Sequence, residues 1–337
     1  MKKIVLYSLL FLMLISVSLS FLHQEVQAEI ISGASGQTEW SLNGTVLTIS
    51  GNGAMANYTV GSLAPWGTEI TGVILQNGVT AVGNNAFADC TQLRSVSLPR
   101  SLEKIGVSAF QNCTDLTAVS IPEKVNKINR NAFLGCTSLE EVSVKSLSSW
   151  LDINFASGAN PLQSGKAELL LNGNSLQSVE IPEDVSAIPA YAFAGCDELE
   201  TITIPDSVDS IGENAFLGCD RLNAVHIEDL EAWLSIGFSE NANPLQSGKA
   251  ELLLNGNSLQ SVEIPYGVSA IPAYAFAGCD ELETITIPDS VYSIGENAFL
   301  GCDRLNTVHI EDLRKALSRD SGSFTPPFSA RADRAFS

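Results

Sequence analysis

The chain has 337 residues, with 18 Lys and Arg against 38 Asp and Glu, a formal net charge of −20, and three histidines. Residues 29–313 are more acidic still, with 11 basic and 35 acidic side chains. Such a surface repels phosphate backbones and anionic membranes, so nucleic acid is excluded as an expected partner.

The first 28 residues read as a secretory signal. Lys2 and Lys3 precede an apolar run from Ile4 to Val17, and Val26-Gln27-Ala28 fits a signal peptidase site with cleavage after Ala28. The apolar core is short for a spanning helix, and no later stretch approaches 18 apolar residues, so no membrane span is expected after cleavage. Residues 29–69 lack the pattern that follows. Thr38 to Leu42 and Thr45 to Ser50 flank Asn43-Gly44, a strong hairpin signal, and this segment is expected to be a β cap on the N-terminal end.

From Ile70 onward the chain is periodic. Cys90, Cys113, Cys136, Cys196, Cys219, Cys279 and Cys302 stand 23, 23, 60, 23, 60 and 23 residues apart, and each follows an Ala-Phe pair by two intervening residues. A fixed period of this size means stacked units that bury a core only against their neighbours. A whole unit reads Leu199-x-x-Ile202-x-Ile204-Pro205-x-x-Val208-x-x-Ile211-Gly212-x-x-Ala215-Phe216-x-x-Cys219. Leu199, Ile202 and Ile204 suit a short strand that Pro205 ends by removing an amide donor. Val208 and Ile211 point inward on the next side, and Glu213 to Phe216 leave room for one turn of helix. Ten strand phrases begin at Ile70, Leu93, Leu116, Leu139, Leu176, Leu199, Leu222, Leu259, Leu282 and Leu305.

This phrase, Leu-x-x-Val-x-Ile-Pro-x-x-Val-x-x-Ile-x-x-x-Ala-Phe-x-x-Cys, resembles the BspA-type leucine-rich repeat of bacterial and protozoan surface proteins over residues 70–313. Pro99, Pro122, Pro182, Pro205, Pro265 and Pro288 carry its proline, which is missing from the rungs at Leu75, Val144, Ile227 and Ile310. The resemblance implies a leucine-rich-repeat solenoid, strand-rich, with a parallel sheet on one face and short helical turns opposite. It implies display outside the cell for adhesion or binding of other macromolecules, and it implies no enzyme.

Two stretches near 145–175 and 228–258 interrupt the period. Leu147, Trp150 and Leu151, like Leu230, Trp233 and Leu234, lie at helical spacing, so the tryptophans are expected in the core; a hairpin around Asn172-Gly173 follows. Residues 161–230 and 244–313 agree at all but four positions: Glu183 against Tyr266, Asp184 against Gly267, Asp209 against Tyr292, and Ala224 against Thr307. Exposed tyrosines are frequent binding anchors, so Tyr266 and Tyr292 are candidates for a contact that the earlier copy lacks. Residues 314–337, rich in Ser, Arg and Pro, read as a disordered tail.

No catalytic motif emerges. His23 lies in the signal, while His226 and His309 occupy duplicate outward strand positions, so no triad or metal cluster is formed by spacing, and no cofactor is implied. The cysteines are expected as a ladder of buried free thiols, because parallel side chains on adjacent coils make the disulfide torsion awkward; the alternative is one or more disulfides between adjacent coils, whose alpha carbons come to about the distance a disulfide spans. The outward strand positions, among them Thr201, Thr203, His226, Thr284, Thr286 and His309, form a hydroxyl-rich face. The expectation is a secreted or cell-surface protein-binding module that contacts a protein or glycoprotein ligand on a host or microbial surface; the alternative is a structural spacer of the cell envelope.

Overall fold

The computed structural model describes residues 31–311, apart from 60, 62, 63, 165 and 248. The expected signal peptide and tail lie outside the described residues. Each coil of a β-solenoid is built from the repeat phrase. Its first side is a strand whose alternate residues point inward: in Thr201–Thr203 the central Ile202 is fully buried, while Thr201 and Thr203 face out. Successive coils place these strands side by side in parallel, Ser178–Glu180 beside Thr201–Thr203 and then Ala224–Ile227, in unbroken register. The second side is a two-residue strand ending in an inward apolar residue, such as Lys104–Ile105 beside Lys127–Ile128 or Ala187–Ile188 beside Ser210–Ile211.

The third side corrects the expectation of short helical turns. It is a run of tight turns: Ala215 N donates to Gly212 O, Leu217 N to Asn214 O and Cys219 N to Phe216 O. The residue before each alanine, Asn85, Ser108, Asn131, Tyr191, Asn214, Tyr274 or Asn297, has φ between 51° and 60°, which breaks any helix there. The turns are bonded from coil to coil. Phe87 N donates to Ala109 O at 2.8 Å, Phe110 N to Ala132 O at 2.8 Å and Phe193 N to Ala215 O at 2.9 Å.

Parallel stacking turns each repeated side chain into a column. Phe87, Phe110 and Phe133 stack with centroids 5.2 and 5.3 Å apart, and Phe193 with Phe216 at 5.6 Å. Each buried ring contributes about 1.5–3 kcal/mol by burial, and stacking adds about 0.5–1.5 kcal/mol. Phe216, expected inward, is only half-buried. All seven cysteines are free; five are buried, and Cys219 and Cys302 are half-buried. Cys113 Sγ donates to Phe87 O at 3.2 Å and Cys136 Sγ to Phe110 O at 3.1 Å, a sulfur-to-carbonyl bond repeated at Cys219 and Cys302. Burial pushes the Cys90, Cys196, Cys279 and Cys302 thiols up to about 12. The Cys113 thiol is also raised, first by its hydrogen bond with Cys136.

At the N-terminal end Thr38–Asn43 and Val46–Gly51 form an antiparallel hairpin, with Ile31–Ser35 on its outer edge. Val46–Gly51 then pairs in parallel with Gly72–Leu75, so it is already a rung of the solenoid. Glu168–Leu171 and Glu251–Leu254 are also rungs, parallel to Glu141–Val144 and Ala224–Ile227, and each turns back into a two-residue antiparallel strand. The first side thus has three strands beyond the ten phrases of the sequence, all hidden because they lack the proline and the Ala-Phe-x-x-Cys ending.

The interruptions are coils in their own right. Helix α1 (Leu147–Leu151) is N-capped by Ser146 and α2 (Leu230–Ser235) by Asp229. Both are followed by second-side strands, Asn154–Phe155 and Gly237–Phe238, in register with the coil before. These coils lack an Ala-Phe amide to bond the next turn. Instead Trp150 Nε1 donates to Ala192 O and Trp233 Nε1 to Ala275 O, both at 3.0 Å, as Trp66 Nε1 does to Ala86 O at 3.1 Å in the first coil. Asn160 and Asn243 give a second side-chain N–H each, to Ala190 O and Ala273 O. The tryptophans are therefore joints between coils, buried as expected. Among the described residues no helix is long and apolar enough to cross a membrane.

Candidate binding face

Strand register fixes which outward side chains meet. One row runs Glu180, Thr203, His226 and Leu253, and its duplicate runs Glu263, Thr286 and His309. The row beside it runs Ser178, Thr201, Ala224 and Glu251, with Ser261, Thr284 and Thr307 as the duplicate. Each histidine therefore stands directly beside a threonine, Thr203 or Thr286. Thr201 Oγ1 donates to Ser178 Oγ at 2.8 Å, while His309 is exposed and His226 and the four threonines are half-buried between neighbouring rungs. Apart from Leu253 and Ala224, the side chains of these rows offer hydrogen-bond donors and acceptors. Glu168 and Glu251, also outward in the interrupting rungs, each bury Oε1 without a hydrogen-bond partner among the described residues. Sequence spacing alone did not single them out, since their rungs carry no repeat phrase.

Tyr266 and Tyr292 lie elsewhere, on the corner where the first side bends into the second. Tyr266 occupies a tight turn closed by Val268 N donating to Pro265 O at 3.0 Å. Tyr292 sits one coil on, its amide bonded to Ser269 O at 2.9 Å. The two residues are 67% and 60% exposed, well above the fraction usual for large apolar side chains. Tyr266 donates to both carboxylate oxygens of Glu311, at 2.7 and 2.9 Å, which pins the ring and raises the phenol pKa. Asp289 and Glu263 lie close enough to raise it further.

The third difference between the copies has a local cause. In the earlier copy Ser148 Oγ of α1 donates to Asp184 Oδ1 at 3.2 Å. In the later copy the residue equivalent to Ser148 is Glu231 of α2, and its carboxylate fills the space where a Cβ on Gly267 would stand. An aspartate at 267 would meet that carboxylate, so serine with aspartate and glutamate with glycine are two matched solutions.

Charge is divided along the solenoid in a way that the overall total hides. Residues 31–167 hold eight basic and nine acidic side chains, net −1, whereas residues 168–311 hold three and 24, net −21. Of those three, Arg221 pairs with Glu198 and Arg304 with Glu281. The corner shows the change most clearly: it presents Arg100, Lys124 and Lys145 early in the chain, and Glu183, Asp206, Asp209, Glu228 and Asp289 later, all exposed. The signal was present in the sequence as the positions of the lysines and arginines, which a total count discards.

The profile of the BspA type leucine rich repeat region matches residues 60–164, 167–243 and 250–325, in six copies. The chain belongs to the BspA-type leucine-rich repeat family. No curated protein matches it. Among solved structures it is similar to a leucine rich cell surface protein from Faecalibacterium prausnitzii A2-165, at 24% identity over 87% of this chain and 99% of that one, with a TM-score of 0.32. A leucine-rich repeat protein from Eubacterium ventriosum aligns at 18% identity over 81% and 95%, with a TM-score of 0.36. The pneumococcal vaccine antigen PcpA aligns at 14% identity over 84% and 82%, with a TM-score of 0.32.

Proposed function

We propose that the protein is an exported, non-enzymatic binding module that presents its outward strand rows to a protein or glycoprotein of a host or microbial surface. The observation that carries this reading is the in-register repetition of the same outward side chains, Thr203 with His226 and Thr286 with His309, on a rigid parallel sheet. Core packing does not dictate these positions, and a repeated polar surface suits an extended macromolecule better than a small substrate. The N-terminal signal at residues 1–28 directs the chain out of the cell, where such ligands are found.

The test is a binding screen of the mature chain from Glu29 against immobilised extracellular-matrix and cell-surface glycoproteins. Wild-type protein is retained by at least one of them, and Thr203→Arg with Thr286→Arg, which leaves the core untouched, abolishes retention. No retention by any glycoprotein would sink the reading and leave the envelope spacer in its place.

A further inference from the structure

We propose that the Tyr266–Tyr292 corner is a docking site for an arginine-rich segment of a partner protein. The inference rests on the binding-module reading above, and it names the chemistry of a contact separate from the strand rows. Two tyrosines stand more than half exposed one coil apart, and nothing in the fold requires them, since the earlier copy has Glu183 and Asp209 at the same places. Around them the corner is acidic. Glu311 accepts the Tyr266 hydroxyl, Glu263 and Asp289 add their negative charge near it, and residues 168–311 together carry a net charge of −21.

An aromatic face beside carboxylates matches one side-chain chemistry best. A guanidinium stacks on the ring and bonds the carboxylate in the same plane, with a geometry that an ammonium lacks. The Tyr266 ring is held in place through its hydroxyl by Glu311, so little ordering is needed on binding. The acidic half steers a cationic chain toward the corner, and the rings decide where it docks. The earlier copy keeps the charge and lacks the rings, so it steers without docking.

The probe is a fluorescein-labelled peptide, Arg-Gly-Arg-Gly-Arg-Gly-Arg, with its citrulline counterpart, titrated into the mature chain by fluorescence anisotropy at physiological salt. Wild-type protein binds the arginine peptide and not the citrulline one. Tyr266→Ser with Tyr292→Ser weakens binding about tenfold, the order expected for losing two exposed cation–π contacts, while Tyr292→Phe, which keeps its ring and leaves the Tyr266–Glu311 bond in place, stays within about twofold. Should the serine pair fold poorly, Tyr292→Ser alone keeps the test, with about threefold weakening expected and unchanged binding overturning the inference. The inference is overturned if wild type binds neither peptide, if citrulline binds equally, or if the folded serine pair binds like wild type. Self-association of wild type in sedimentation that is lost in the serine pair also overturns it, because the occupant is then a second copy. Glycoprotein retention without peptide binding refutes this inference alone; peptide binding without retention refutes only the sheet-face reading.

Discussion

Replacing Trp233 by phenylalanine tests whether the interrupting coils are held in the stack by side-chain hydrogen bonds. Trp233 is almost wholly buried, and its indole N–H meets Ala275 O at 3.0 Å, where an ordinary coil would supply a phenylalanine amide. Phenylalanine keeps the apolar contact with Phe238, whose ring centroid lies 5.2 Å away, but leaves the buried carbonyl unpaired. An orphaned acceptor costs about 1–3 kcal/mol. The lost ring volume adds about 1 kcal/mol, so the total is about 2–4 kcal/mol. In a stacked array the loss falls on a single interface. Urea unfolding followed by circular dichroism should therefore show the C-terminal coils separating into an earlier transition, rather than a uniform shift. Trp150→Phe, whose bond to Ala192 O has the same length, should behave alike at its own junction. Unchanged unfolding curves for both variants would refute the hydrogen-bonded joint and leave the tryptophans as apolar filler.

Phe193→Ala should cost about 3–5 kcal/mol by cavity formation, and half-buried Phe216→Ala about half of that; equal losses in thermal unfolding would contradict the graded column. The native thiols should label slowly and all seven should label after unfolding, whereas three disulfides by intact mass would exclude the free ladder. Cys196 and Cys279 keep their protons to about pH 12, whereas an unfolded thiol ionises near pH 8.5. The contribution of these two thiols is thus complete below about pH 8.5 and is lost as pH rises toward 12, by about 1.4 kcal/mol per pH unit per thiol, and Cys196→Ala with Cys279→Ala should reduce the slope by their share, leaving that of the other raised thiols such as Cys90 and Cys302. Gly267→Asp should cost about 0.5–1 kcal/mol through repulsion with exposed Glu231; adding Glu231→Ser should restore the urea midpoint, and failure to do so would dissolve the pairing.

The parts of the fold that repeat were legible because each inward residue recurs at one spacing. Leu199, Ile202, Val208, Ile211, Ala215 and Cys219 mark their own sides of the coil, and Pro205 marks a corner. The turns were misread as helical because a short Glu-Asn-Ala-Phe run carries no sign of handedness. Asparagine before alanine hints at positive φ, but Ser108, Tyr191 and Tyr274 take the same conformation without that hint. Glu168–Leu171 was hidden as a rung because its register is set by Glu141–Val144 across the ladder. At the candidate sites, Tyr266 and Tyr292 stood out only as differences between near-identical copies. Their placement on one corner required knowing how the coils stack.

The four differences between the copies are not scattered. Glu183/Tyr266, Asp184/Gly267 and Asp209/Tyr292 fall on one corner, and Ala224/Thr307 falls on an outward strand row. None replaces a residue of the inward columns, where a change in one coil would have to be absorbed by the coils on both sides. The outward positions are free of that demand, so they are where a duplicated segment acquires new chemistry without loss of fold. Gly267 differs in having a neighbour on the surface that changed with it, the flexible Glu231 carboxylate lying where its Cβ would stand. The tyrosines carry no such compensation: Asp209 and Tyr292 make the same amide bond to the previous coil, to Ser186 O and Ser269 O, and differ only in what they show to solvent. Selection or drift at Tyr292 therefore acts on the surface alone, and binding is the property that distinguishes the two.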